Sequence, residues 1–187
     1  MSRETEQAIL RATAQLLGER GLPEISLEEI AALARVSKAS IYRRWQSKGA
    51  LAFDAFMAKF LDMQPEPDTG SLHDDLLAAL GNWVRTVEGT PTGRTLRGLV
   101  AEVQGNSELA AAWRERFVGP VRTRHFVMAQ RAITRGELRP EASVPLLMDL
   151  LYGPAYHRLF QGHLPLDDAF VTAVVDAVMA AVRAGAI

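Results

Sequence analysis

A short block of cationic and hydroxyl side chains is the part of this chain best suited to bind another molecule. Between Ile30 and Phe53 the sequence contains no Asp or Glu, yet it carries the cations Arg35, Lys38, Arg43, Arg44 and Lys48. Guanidinium and ammonium groups donate hydrogen bonds to guanine O6 and N7 and to phosphate oxygens, and a Ser hydroxyl can bond to several bases. An isolated cationic cluster is most simply a solvated helix face, so the elements that position the block decide its meaning.

Two short helices are predicted to position this block. Ser26 and Glu29 have the spacing of a capping box, and apolar residues follow at helical spacing from Leu27. A four-residue break over 34–37 precedes a second helix, predicted over 38–45, for which Ser37 is a suitable N-cap. Two short helices joined by a tight turn form a helix-turn-helix, whose second helix enters the major groove of DNA. Caps, turn and charge together therefore favour DNA binding over a merely solvated face.

The rest of the chain is predicted to be helical, giving an all-α protein of about nine helices. A first helix over 3–20 completes a three-helix domain over residues 1–47, and a helix over 48–62 links it to a larger regulatory and dimerisation domain over 48–187. A Pro-, Gly- and acid-rich break lies at 64–70. Later helices are predicted at 94–104, at 108–135 with a kink at Pro120, at 143–161 and at 166–184.

Composition excludes several classes of function. The 187 residues include no Cys, which removes disulfides, thiolate metal sites and a Cys nucleophile. The four His are scattered, and neither H-E-x-x-H nor G-x-S-x-G occurs, so no enzyme, metal or cofactor is predicted. No stretch approaches the roughly 18 apolar residues of a membrane span. With no early apolar run to suggest a signal peptide, the expected location is the cytoplasm.

The segment VSKASIYRRWQSKGAL, residues 36–51, resembles the tetracycline-repressor (TetR) family of bacterial transcriptional regulators. Residues 9–17, Gly21 and the pair 30–31 also fall where that family's pattern has them. The resemblance implies a homodimer that binds a double-stranded operator, an inverted repeat, and leaves it when a small effector binds. Two positions depart from the pattern: Arg35 stands where Gly is usual in the turn, and Gly49 stands where an acid is usual.

The residues expected to do this work form three sets. Lys38 and Arg43 suit guanine, Ala39 suits a thymine methyl, and the resemblance gives Tyr42 and Lys48 to phosphates. The full predicted DNA-contacting set is Ser26, Ser37, Lys38, Ala39, Ser40, Tyr42, Arg43, Arg44 and Lys48. An apolar or aromatic effector is expected to be bound by Trp83, Trp113, Phe117, Phe126, Met148, Tyr152 and Tyr156. The dimer surface is expected to comprise Leu147, Leu151, Leu159, Phe170, Val174, Ala177, Val178 and Ala181.

Each of these sets has a competing interpretation. The aromatic residues fit an ordinary core as well as a pocket, and the last two helices could simply close the core of one chain. At the level of function, the chain could be an activator without a ligand. It could also be an all-helical adaptor whose basic face meets an acidic protein.

Overall fold

The computed structural model describes residues 1–60 and 63–187, which fall into two compact units. Within these residues the chain forms ten α-helices and no strands. Unit 1, residues 1–63 and 89–117, contains α1 (Arg3–Arg20), α2 (Leu27–Ala34), α3 (Lys38–Tyr42), α4 (Lys48–Phe60), α6 (Pro91–Gly105) and α7 (Ser107–Trp113). Unit 2, residues 64–88 and 118–187, contains α5 (Leu72–Val87), α8 (Gly119–Thr134), α9 (Val144–Gln161) and α10 (Asp168–Arg183). The all-α prediction is confirmed.

The N-terminal helices begin and end at residues whose chemistry the sequence makes plain. The Ser2 hydroxyl accepts from the backbone N–H of Thr5, and α1 ends at Gly21, whose φ of 87° is accessible mainly to glycine. The face of α1 that carries Ile9, Leu16 and Leu17 is buried against α2, α4 and α6. Burial of this apolar stripe forms the core that holds α2 and α3 in place.

The helix α6 begins three residues before its predicted start. Thr90 is its N-cap and accepts from the backbone N–H of Gly93, and Pro91 occupies the first turn. Proline is well suited to this position because the first N–H groups of a helix have no intrahelical acceptor. The segment 89–93, which the sequence predicts to be a break between helices, therefore contains both the break and the first residues of α6.

The long helix predicted around Pro120 is continuous but changes its winding. α7 passes into a π-helical turn, Arg114–Val118, and then into α8 without an intervening loop. Pro120 lies directly after this turn and has no N–H to donate to the preceding turn. A π turn widens the backbone at the point where the proline ring would otherwise clash. If these three segments are counted as one helix, the described residues contain the nine predicted.

Unit 2 is built around the apolar faces of α5, α9 and α10. Leu76 and Leu80 of α5, Leu151 of α9 and Val175 of α10 are fully buried. Asp75 is also fully buried; its carboxylate accepts from the backbone N–H and the hydroxyl of Thr69, at 2.7 and 2.8 Å. That carboxylate thereby fixes the loop before α5. No helix in the described residues is long and apolar enough to cross a membrane.

The linking helix α4 is described from Lys48 to Phe60, and its predicted end at 62 lies outside the described residues. It packs against α1, α6 and α7, all within unit 1.

Candidate nucleic-acid interface

The turn between α2 and α3 is fixed at both ends of α2. At its start, the Ser26 hydroxyl accepts from the Glu29 N–H at 3.2 Å, while the Ser26 N–H donates to the Glu29 carboxylate at 2.9 Å, which completes the predicted capping box. At its end, the N–H of Arg35 donates to the Ala32 carbonyl and the N–H of Val36 to the Ala31 carbonyl. This pair of bonds is the Schellman motif, which requires a left-handed residue after the helix.

Arg35 is that left-handed residue, with φ 56° and ψ 44°, and it is the non-glycine residue with positive φ in the described part of the chain. The Cβ of an L-residue is strained in this conformation, at a cost of about 1 kcal/mol. Arg35→Gly is therefore expected to raise the free energy of unfolding by about 1 kcal/mol, or the melting temperature by roughly 2–4 °C.

Arg35→Ala is the matched control, because it removes the guanidinium but keeps the strained Cβ. Thermal unfolding of both variants separates the two contributions. Equal stability of the Gly and Ala variants would show that strain at this residue does not limit the stability of the turn.

The helix α3 is shorter than predicted. Ser37 caps it, with the hydroxyl accepting from the Ser40 N–H, but the regular helix ends at Tyr42 instead of Trp45. The N–H groups of Arg44 and Trp45 both donate to the carbonyl of Ile41, so the chain tightens after one and a half turns. This tightening accompanies the burial of Trp45, a residue that is 3% exposed.

The predicted DNA-contacting residues divide into exposed and structurally engaged groups. Lys38, Ala39, Tyr42, Arg43 and Arg44 are exposed, and Tyr42 retains 51% of its surface. By contrast, Ser26 is engaged in the capping box, and the Lys48 ammonium donates to the carbonyl of Ile25 at 2.9 Å. Ser37 and Ser40 share a hydroxyl–hydroxyl hydrogen bond of 2.9 Å. The exposed group therefore presents its side chains to a ligand, although Lys38 and Arg44 are also paired with Glu28 of α2 and Glu6 of α1.

Asp54 is a residue at this site that the sequence did not single out. Its carboxylate accepts from the indole N–H of Trp45 at 2.8 Å and pairs with Arg116 of the π-helical turn at 2.7 Å. The bonds join α4 to the segment that follows α3. A usable signal was present, because a buried tryptophan N–H requires an acceptor and Asp54 is the first acid after the cationic block.

The residues predicted to bind an effector fall into two groups. Trp113 and Phe117 belong to unit 1, where they pack with Phe53, Phe56 and Phe60 at ring-centroid distances of 4.4–6.3 Å. Trp83, Met148, Tyr152 and Tyr156 belong to unit 2. Phe126 is 56% exposed on α8, so it does not line an enclosed pocket within the chain.

The unit 2 group combines aromatic rings with the hydroxyl groups of two tyrosines and the imidazole of a histidine. Trp83 lies 5.0 Å from Tyr156 and 6.1 Å from Tyr152, and the ring of His125 stacks on Tyr152 at 5.3 Å. Burial, followed by the nearby Arg124 charge, lowers the pKa of His125 to about 4, so its imidazole is neutral at pH 7. Burial raises the pKa of Tyr156 to about 12 and that of Tyr152 further. These groups are neutral hydrogen-bonding side chains beside aromatic rings.

The predicted dimer residues need a correction. Five of the eight, namely Leu147, Leu151, Leu159, Phe170 and Val178, are buried within the chain itself and are core residues. Val174 and Ala181 are half-buried, and Ala177 is exposed. Helical spacing identified apolar faces correctly, but it could not distinguish a face covered by the same chain from one that is open.

The open faces of α9 and α10 are made of different residues. On α9, Leu146, Leu150, Pro154 and His157 are exposed at spacings of four, four and three residues. On α10, the exposed stripe is Ala169, Ala173, Ala177 and Ala180, with Ala184 directly after the helix. The two helices pack against each other in unit 2. Their outer faces are therefore apolar and, on α10, flat.

A capped helix pair with an exposed, cation-rich second helix, supported by a third helix, defines a helix-turn-helix DNA-binding protein. Comparison with known proteins specifies the family. The sequence model described as "Bacterial regulatory proteins, tetR family" matches residues 9–55, and "Tetracyclin repressor-like, C-terminal domain" matches residues 66–178.

Individual relatives agree over nearly the whole chain. The DNA-binding transcriptional repressor TetR of Mycobacteroides abscessus is 36% identical over 94% of this chain and 93% of its own length. The regulator YdeS of Bacillus subtilis, described as uncharacterized, is 34% identical over 91% of this chain and 86% of its own length. The crystal structure of the TetR-family regulator SCO0332 is 36% identical, with a TM-score of 0.81 over 95% of this chain and 98% of that one.

The chain belongs to the tetR family of bacterial regulatory proteins. It is a helix-turn-helix, DNA-binding regulator of transcription. The family consists of DNA-binding regulators that bind operators as dimers, not of enzymes.

Proposed function

We propose that this protein is a homodimeric repressor in the cytoplasm, which occupies an inverted-repeat operator and leaves it when a small apolar or aromatic effector binds. The observation that supports this most is the exposed cationic surface of α3, held by the capping box and the Schellman turn. A surface fixed in this way loses little conformational entropy on binding DNA. We propose the same division of function as the sequence predicts: residues 1–47 bind DNA, and residues 48–187 bind the effector and form the dimer.

The proposed DNA contacts divide by chemistry. Arg43 and Lys38 read guanine edges in the major groove, and Ala39 packs on a thymine methyl. Tyr42, Arg44 and Ser37 contact phosphates and set the register of α3 on the duplex. Ser26 and Lys48 are also assigned to contacts with the DNA backbone. Because Ser26 already bonds to Glu29 and Lys48 to the carbonyl of Ile25, we assign them a role in positioning the helices as well.

The proposed dimer surface is the open face of α9 and α10. Two copies would bring the exposed leucines of α9 and the alanines of α10 together in a four-helix bundle, because alanine allows close approach of helix backbones. This surface retains Val174, Ala177 and Ala181 of the predicted set and adds the exposed Leu146 and Leu150. A dimer supplies the second half-site that one short recognition helix lacks.

The proposed effector site lies in unit 2 at Trp83, Met148, Tyr152 and Tyr156. Neutral hydroxyl and imidazole groups beside large rings suit an uncharged aromatic compound with one or two polar groups. Release of DNA requires that such a compound bind one of two dimer conformations more tightly than the other. An effector without differential affinity would leave operator binding unchanged.

This effector proposal is tested with a panel of neutral aromatic phenols, beginning with 2-naphthol. We expect an active compound to raise the melting temperature and to release labelled operator DNA in fluorescence anisotropy. Trp83→Leu should abolish both responses, whereas Phe126→Leu on the exposed side of α8 should preserve them. Operator binding that no member of the panel affects would instead favour the alternative of a ligand-independent regulator or activator.

A steep dependence of duplex binding on salt concentration, with preference for one sequence, distinguishes all these regulators from an adaptor for an acidic protein.

A further inference from the structure

Two of the proposed DNA-contacting cations are already paired with carboxylates in the DNA-free chain. Lys38, the first residue of α3, forms an ion pair with Glu28 in the first turn of α2. Arg44, just after α3, pairs with Glu6 of α1, with 2.7 Å between Arg44 Nη2 and Glu6 Oε1. The pairs flank α3, and their side chains remain 30–63% exposed. Both pairs are therefore accessible to a competing anion.

The other cations of the block differ in this respect. Arg43 donates to the neutral hydroxyl of Ser40 at 3.1 Å, and Lys48 donates to a backbone carbonyl. Arg35 has no carboxylate partner in the part of the chain that the structure describes. Carboxylate pairing is thus confined to Lys38 and Arg44, and it does not follow from a general abundance of acids around the block.

The position of Glu28 at the start of α2 could also serve the stability of that helix alone. An acid in the first turn of a helix interacts favourably with the helix dipole. The hydrogen bond from Lys38 is nevertheless the largest influence that lowers the pKa of the Glu28 carboxyl, and the same contact raises the pKa of Lys38. A dipole role requires only a carboxylate at the start of α2, whereas the observed carboxylate is bonded to a residue of α3.

We propose that Glu28 and Glu6 compete with DNA for Lys38 and Arg44, so that operator binding must displace both carboxylates. This inference rests on the DNA-contact residues proposed above. Exposed ion pairs are weak, and a duplex presents a dense line of phosphates, so DNA can displace the carboxylates. Breaking the two ion pairs costs free energy, which lowers the affinity of the protein for DNA. The acids thereby lower the affinity of the reading surface for DNA in general, including the many sites that are not the operator.

The test is neutralisation of Glu28 by Glu28→Gln, which keeps the shape of the side chain. Binding is measured by fluorescence anisotropy at several salt concentrations. The duplexes are one selected by the wild-type protein from a random library and a scrambled version of it. We expect Glu28→Gln to tighten binding to the selected duplex by about three- to fivefold at low salt, the range that a weak exposed pair allows. The gain should shrink as salt rises.

Glu24→Gln is the matched control, because Glu24 is an exposed residue before α2 that carries no ion pair in the described residues. It removes the same charge from the same unit but frees no DNA-contacting cation, and it should change affinity by less than about twofold. Thermal unfolding of both variants is measured alongside. A role confined to the helix dipole predicts that Glu28→Gln lowers stability and does not tighten DNA binding.

A second comparison identifies the partner. In a Lys38→Ala background the gain from Glu28→Gln should disappear, and Glu6→Gln should likewise lose its effect in an Arg44→Ala background. The proposed competition would be wrong if Glu28→Gln increased DNA affinity no more than Glu24→Gln does. It would also be wrong if the increase persisted in the Lys38→Ala background. A wild-type protein that binds both duplexes equally would instead overturn the assignment of the DNA-reading residues, and the competition with it.

Discussion

Ala177→Glu is expected to convert the protein to a monomer and to weaken operator binding by about 100-fold or more, since like charges facing each other in an interface cost several kcal/mol. Ala177 is exposed in the middle of the alanine stripe of α10. In the proposed dimer, a two-fold axis through this stripe would bring the two new carboxylates together in an apolar setting, where burial of an unpaired charge is unfavourable. Each monomer then binds one half-site without the second copy that raises the effective concentration.

Molar mass by light scattering at micromolar concentration and anisotropy on whole and half operators measure both effects. Thr172→Glu is the matched control, because Thr172 is an exposed residue on the flank of α10 that also carries Asp176 and Arg183. The control should remain dimeric and bind the operator normally. A dimeric Ala177→Glu protein with full affinity would move the interface away from the open face of α10.

Arg43→Ala is expected to weaken binding to the operator by about 1–3 kcal/mol and to relax specificity at one base pair, as loss of a bidentate guanine contact does. The guanidinium of Arg43 is exposed, and its hydrogen bond to the neutral Ser40 hydroxyl is easily exchanged for a base edge. Arg43→Lys should recover charge but not the two-pronged geometry, and so should recover only part of the affinity.

Arg44→Ala is the comparison for Arg43, because it is proposed to contact a phosphate. Its loss should be nearly equal on the operator and on scrambled DNA, and should reduce the slope of log affinity against log salt by about one. Single-base variants of the operator show which position Arg43 reads. An equal loss on operator and scrambled DNA for Arg43→Ala would make Arg43 a phosphate contact as well.

The N-terminal part of the fold could be predicted because its determinants are local. Ser26 and Glu29 bond to each other within one turn, and Gly21 ends α1 through its own backbone freedom. Even the departure at Arg35 was predictable, because a left-handed residue is needed there whichever side chain occupies it. The early end of α3 was not, since it depends on burial of Trp45 and on its bond to Asp54 nine residues later.

In the larger domain the sequence did not distinguish an apolar face covered by the same chain from an open one, because the difference depends on which helices pack against that face. Leu147 and Leu151 have the same residue type and helical spacing as Leu146 and Leu150, yet the first pair is core and the second pair is exposed. A one-position offset on the helix decides the outcome, and only the packing of neighbouring helices fixes that offset. Phe126 shows the same limit, because a large aromatic residue in an amphipathic helix is more often buried than 56% exposed.

The three tryptophans give the protein a set of built-in optical reporters. Trp45 lies beside Arg44 and donates to Asp54 behind the reading helix, Trp113 lies in the ring cluster with Phe53 and Phe56, and Trp83 lies beside Tyr152 and Tyr156. Replacing any two of them by phenylalanine leaves a single fluorophore in a known environment. Emission from Trp45 would then follow occupation by DNA, and emission from Trp83 would follow occupation by an effector. Stopped-flow experiments on the Trp45 protein and, separately, on the Trp83 protein would time DNA binding and effector binding without an added label.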